Sequence, residues 1–224
     1  MKKTRLMLVP VVILCVILII TMLSGYSEKV NEEIANGVIR LHVIANSDSP
    51  EDQALKCKVR DNILDYMRGR ADQCFDGYNN LKVDDKLLGE LKKVATETIK
   101  MDGKVYDVST QFGNFAFPTK TYGDLSFPAG YYNAVRVVIG SGAGKNWWCV
   151  MFPPLCMLNS TTGKLTDDSK LMLRQRVGEE DFSILSSGPK DGSADGAPQI
   201  NVKFKVVEVF QSLKIGWDNL FGIK

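Results

Sequence analysis

"VIRLHVIANSDSPEDQALKCKVRD", residues 38–61, changes its hydrophobic period halfway along. From Val38 to Ala45 the residues alternate. Ile39, Leu41, Val43 and Ala45 share one face, and Val38, Arg40, His42 and Ile44 share the other. Such a period predicts a strand with one apolar face and one mixed face. The chain then meets "SDSPED". Ser49 fits an N-cap, Pro50 the first helical position, and Asp52 the third position of a capping-box-like pair. Leu55, Val59, Ile63 and Met67 follow at intervals of four, and Arg68-Gly69 closes the run. A cation in the last turn and a glycine beyond it suit a helix end. A strand that enters a capped helix is the seed of an α+β domain.

Towards the C-terminus, Leu87, Leu88, Leu91, Val94 and Ile99 mark a second amphipathic helix over 84–100. From residue 103 to 158 the chain turns aromatic, β-branched and rich in Gly and Pro. Strands are expected at 105–112, 131–139 and 147–151, with "GSGAGKN" (140–146) as the hairpin connection between the last two. Residues 114–130 read as a long loop with two Phe-Pro corners. A third helix is expected over 169–185, then a flexible Gly/Ser/Asp/Pro tract at 186–199. In the tail, Phe204, Val207, Phe210, Leu213, Trp217 and Leu220 keep helical spacing. A strand at 202–209 competes, and the length of the stripe favours the helix. The fold expected is a mostly antiparallel sheet packed by amphipathic helices, as one extracytoplasmic domain over 38–224.

Towards the N-terminus, "MKKTR" precedes eighteen uncharged residues, Leu6 to Leu23. A basic start before an apolar run is the layout of a signal peptide or membrane anchor, here residues 1–26. Eighteen residues lie near the lower limit for spanning a bilayer. The basic flank favours the cytoplasmic side, which sends the remainder across. Gly25 and Ser27 offer small residues for cleavage, so cleavage and retention both remain open. Residues 27–37 read as a polar spacer.

Net charge is +2, and three of the positive charges are Lys2, Lys3 and Arg5. Without them, 25 basic residues face 26 acidic ones. That balance points away from nucleic acid and from a polybasic lipid patch. Four cysteines lie outside the apolar segment: Cys57, Cys74, Cys149 and Cys156. Three pairings are possible in an oxidising space. Cys149 and Cys156 flank a Pro-Pro turn able to bring two short segments together, whereas Cys57 falls mid-helix between two lysines. With one histidine and no CxxC, no metal site and no cofactor are expected.

His42 is the sole histidine, and it carries the hydrolase alternative: an exported cell-wall or peptide hydrolase. No G-x-S-x-G is present, and Arg40 on the same face would lower the basicity of His42. "IGSGAGK" fails as a phosphate loop, since Ile139 stands where the first glycine is needed and Asn146 follows the lysine. Trp147 and Trp148 must point to opposite faces of a strand. Either a two-sided sheet buries both, or one serves an interface. Tyr131 and Tyr132 pose the same choice.

Together, "VIRLHVIANSDSPEDQALKCKVRD", "GNFAFPTKTYGDLSFPAGYYNAVRVVIGSGAGKNWWCVMFPPLC" and the N-terminal apolar run resemble the stage II sporulation protein R family. "CVMFPPLC" belongs to the family pattern; Cys57 and Cys74 do not. The resemblance implies a signalling protein of endospore formers, not an enzyme. Made in the forespore, it would be exported into the space between the two sporulation membranes. There it would trigger a membrane-embedded aspartic protease of the mother cell, which processes the precursor of sporulation sigma factor E. Its partner would be that protein, with no small-molecule substrate. The contact surface expected is His42, Asn46 and Asp48 with the aromatic residues Tyr131, Tyr132, Trp147 and Trp148.

Overall fold

The computed structural model describes residues 2–68, 82–156, 165–188 and 202–222, with side chains from residue 9 onward. In chain order the elements are α1 (Lys2–Gly37), β1 (Ile39–Ile44), α2 (Pro50–Arg68), α3 (Asp85–Met101), β2 (Val108–Phe117), β3 (Lys120–Tyr122), β4 (Leu125–Phe127), β5 (Gly130–Ile139), β6 (Asn146–Phe152), α4 (Asp167–Ser186) and α5 (Val202–Phe221). Cys74 and residues 189–199 of the Gly/Ser/Asp/Pro tract lie outside the described residues.

Four strands form one sheet in the order β2-β5-β1-β6, and β3 pairs with β4 in a separate hairpin. β1 takes a central slot because both of its faces are apolar enough to bury. Val38 to Val43 are all buried, Arg40 and His42 included. β5 runs parallel to β1, while β6 and β2 pair antiparallel with their neighbours. The fold is therefore α+β with a mixed, mostly antiparallel sheet.

The alternation read from the sequence places two cores on the two faces of this sheet. Leu41, Val43, Val135, Val137, Ile139 and Met151 meet Leu55, Val59 and Ile63 of α2 and Leu87, Leu91 and Ile99 of α3. On the other face, Phe117, Tyr132, Ala134 and Val150 meet Ile34 of α1, Leu173 of α4 and Phe204 of α5. Each fully buried Leu, Ile or Val side chain contributes about 1.5–3 kcal/mol of transfer free energy.

Three expectations are corrected. The 140–146 connection is no hairpin, because β1 lies between β5 and β6 and the chain passes across its end. The long loop at 114–130 holds the end of β2 and the β3–β4 hairpin, turned at Gly123 with φ of 60°. Residues 27–37 are no spacer but the last turns of α1, where Val30, Ile34 and Ala35 are buried. α5 is a helix, as its stripe requires. The part of α1 from Val9 onward is long and apolar enough to cross a membrane, and its apolar window is wholly unburied by the protein.

Candidate functional site

The turn after β1 is a polar knot that fixes one end of the sheet. Ser49 caps α2, its Oγ accepting from the Asp52 backbone N–H at 3.2 Å. The Asp52 carboxylate turns back past Ser49 instead of closing a capping box. It accepts from Ser47 Oγ at 2.6 Å and from Asn46 Nδ2 at 2.9 Å. These two donors hold Asp52 below the usual carboxylate range, against the opposing effect of its burial. Asn46 Oδ1 accepts from the Ser141 backbone N–H at 3.0 Å, and Asp48 Oδ1 accepts from that of Lys145 at 2.6 Å. Gly140 has φ of 57° and so close an approach that an added Cβ would lie 2.2 Å from Asn46 Oδ1. Asn46 and Asp48 thus staple the 140–145 connection across the end of β1.

Next along the mixed face lies Arg40, fully buried. Its guanidinium carbon sits 4.1 Å from the Phe117 ring centroid and 4.7 Å from that of Tyr132. Nη2 donates to Tyr122 Oη at 3.0 Å, and Nε donates to the Cys149 carbonyl at 3.4 Å. No carboxylate pairs with it among the described residues. The charge is held by aromatic quadrupoles and neutral acceptors. Burial pushes the Tyr122 and Tyr132 phenols up, Arg40 opposing it in both.

His42 follows on the same face. Its ring stacks on Trp148 at 3.7 Å between centroids, and Nε2 lies 2.9 Å from Asn146 Oδ1. Nδ1 is buried without a hydrogen-bond partner. Burial lowers the imidazole to about 4; the Asn146 bond opposes this and the Arg136 charge adds to it. A ring so enclosed stays neutral near pH 7, with no serine or cysteine bonded to it among the described residues. This arrangement does not resemble a nucleophile–base pair. The described residues also gather no three His, Cys, Asp or Glu side chains able to hold a metal.

Beyond His42 the mixed face opens to solvent. The pairing register sets Arg136 beside His42 and Gln111 beside Arg136. Arg136 Nη2 donates to Gln111 Oε1 at 2.7 Å, and the guanidinium lies 4.3 Å from the Phe115 ring centroid. Nε is buried and unpartnered. Phe115, Arg136 and Trp148 are half-buried, while Gln111 and Asn146 are exposed. Phe117, Phe127 and Tyr122 close over Arg40, whereas these five keep an open side. A shallow aromatic surface with one cation therefore remains at the open half of the sheet.

The seven residues expected to form a contact surface are thus divided. Tyr132 is wholly buried, its hydroxyl donating to the Pro128 carbonyl at 2.8 Å, and is corrected to a core residue. Asn46 and Asp48 are committed to internal hydrogen bonds, and His42 is only 5% exposed. Trp147 points to the opposite face, where the Arg60 guanidinium lies 4.1 Å from its ring. Tyr131 donates to Asp218 of α5 at 2.7 Å, and burial, then Asp218, push its phenol up to about 12. Trp148 alone of the seven lines the open surface. Gln111, Phe115, Arg136 and Asn146 were missed, although the alternation of β2 and β5 places the first three on one face. Cys149 and Cys156 form a disulfide, with Cα atoms 5.7 Å apart.

An apolar N-terminal helix leading into a disulfide-bonded α+β domain fits an extracytoplasmic protein carrying a signal or an anchor. Residues 35–162 match the family model described as Stage II sporulation protein R. The curated protein "Stage II sporulation protein R" of Bacillus subtilis (strain 168) is 34% identical over 192 residues, spanning 84% of this chain and 86% of that protein. The chain belongs to the stage II sporulation protein R family, and its role lies in sporulation. No solved structure matches it.

Proposed function

We propose that this chain is an exported signal that activates a membrane-embedded aspartic protease of the mother cell, so that the sigma factor E precursor is processed. The observation that carries the reading is the state of the sole histidine. His42 is neutral, stacked on Trp148 and bonded to an amide, beside a surface suited to binding. The surface is formed by Trp148, Phe115, Arg136, Gln111 and Asn146. Aromatic and arginine side chains on a rigid sheet are the residue types that dominate protein contacts. Acting from the space between the two membranes, the domain would bind the protease's exposed segments. It can activate only by binding the active arrangement more tightly than the resting one.

Co-expression of the chain, the protease and the precursor in a non-sporulating host tests this. Processing should appear only when all three are present. Processing without the chain, or none with it exported and folded, would overturn the reading.

A further inference from the structure

α5 packs on the turn of α1 that follows its apolar run. Ser27 Oγ of α1 donates to the Val207 carbonyl at 3.4 Å, and Gln211 Nε2 donates to Ser27 Oγ at 3.3 Å and Glu28 Oε2 at 3.2 Å. Lys214 Nζ then reaches Glu28 Oε1 at 2.6 Å, and Trp217 lines a groove with Ser24. From Val207 to Trp217, α5 therefore stays against residues 24–28 of α1, the turn that follows the apolar run ending at Leu23. Four further residues at about 1.5 Å each carry the last turn of α5 about 6 Å beyond Trp217.

The charges on this part of α5 face the protein. Lys214 pairs with Glu28, and Asp218 accepts from the Tyr131 hydroxyl. The outward side is left to Leu213, Trp217, Leu220 and Phe221, which are 66%, 61%, 76% and 57% exposed. The Trp217 and Phe221 rings pack 4.5 Å apart. Four large apolar side chains on one helix edge, each more than half exposed, lie level with the end of a helix of membrane-crossing length. Aromatic residues at that level are typical of the bilayer interface, and an amphipathic helix gains from laying its apolar edge there.

We propose that the C-terminal half of α5 is a second membrane contact, with Trp217, Leu220 and Phe221 resting in the interfacial layer of the bilayer that α1 crosses. Two contacts fix the tilt of the domain where one helix would leave it free to swivel. The open face of the sheet is then held at a set orientation to the membrane. This inference does not depend on protease activation.

The test uses the full chain in phosphatidylcholine–phosphatidylglycerol vesicles whose acyl chains carry bromine, a contact quencher of tryptophan. Trp147 and Trp148 belong to β6 and pack on Arg60 and His42. Quenching is therefore expected in the native chain and lost by at least half in Trp217→Phe, with unchanged circular dichroism. Leu220→Ser with Phe221→Ser should reduce the quenching of Trp217 at least twofold. Equal quenching in the native chain and Trp217→Phe would overturn the proposal. So would a Trp217 emission that shifts to the blue only as protein concentration rises, which would assign this edge to a second copy of the chain.

Discussion

Replacing His42 by phenylalanine keeps a flat ring against Trp148 and removes the only imidazole. At pH 7 the loss of the Asn146 bond costs about 0.5–1.5 kcal/mol, and removal of the unpartnered buried Nδ1 offsets it by a similar amount. His42→Phe should thus unfold within about 1 kcal/mol of the native chain at pH 7. The pH dependence is more telling. Burial depresses the folded-state imidazole from an ordinary value near 6.5 to about 4. The unfolded chain therefore binds the extra proton first, and native stability is lost as pH falls from about 6.5 towards 4. The full effect is about 3 kcal/mol, of which about 2 kcal/mol falls between pH 7 and pH 5. The phenylalanine variant lacks this loss. Urea denaturation of both proteins at pH 7, 6 and 5 reads the difference, since every other group titrates alike in the two. His42→Phe should gain about 2 kcal/mol relative to the native chain over this range. A difference that stays flat would show that the ring is not desolvated in the fold, and the case for a neutral, packed histidine would fail.

Asp181 has the opposite sign: burial, then its contact with Glu33 of α1, push it up to about 6, so the folded state holds its proton more tightly. Stability from this contact is lost as pH rises from about 4 through 6. Asp181→Asn should stabilise the domain at pH 7 by about 1–2 kcal/mol and flatten that part of the pH profile in thermal unfolding. Arg40→Ala should cost about 3–5 kcal/mol in urea titrations, because it opens a cavity among Phe117, Phe127 and Tyr132. Changing Cys149 and Cys156 together to serine should cost about 2–3 kcal/mol by the chain-entropy model for so short a loop. Reduction of the native chain should lower its melting temperature by the same mechanism.

The elements were largely legible because their signals are local. Ser49 and Pro50 announce α2, and the four-residue stripes of α2 and α3 name their own buried faces. A signal or anchor was legible from the eighteen uncharged residues. Topology was not, because only burial on both faces puts β1 between β5 and β6, and neighbours in sequence suggested a hairpin. The helix over 27–37 had a signal that polarity hid: Val30 and Ile34 are four apart, and Ala35 joins them on one side.

The site was harder to read. Asn46 and Asp48 looked available because their partners, Ser141 and Lys145, lie almost a hundred residues away. Arg40 likewise takes its aromatic cage from β2, β4 and β5. The open surface was hidden for a different reason. Arg136 is an ordinary charged position until the register brings Gln111, Phe115 and His42 around it.

One comparison in the reconstituted host separates a contact surface from a hydrolase: precursor processing with Arg136→Glu against processing with His42→Phe, both checked for export and folding. Reversal of charge at Arg136 should reduce processing at least tenfold, while His42→Phe should leave it within about twofold of the native chain. Loss of processing in His42→Phe with Arg136→Glu unaffected would contradict the account and favour a hydrolase that uses the histidine.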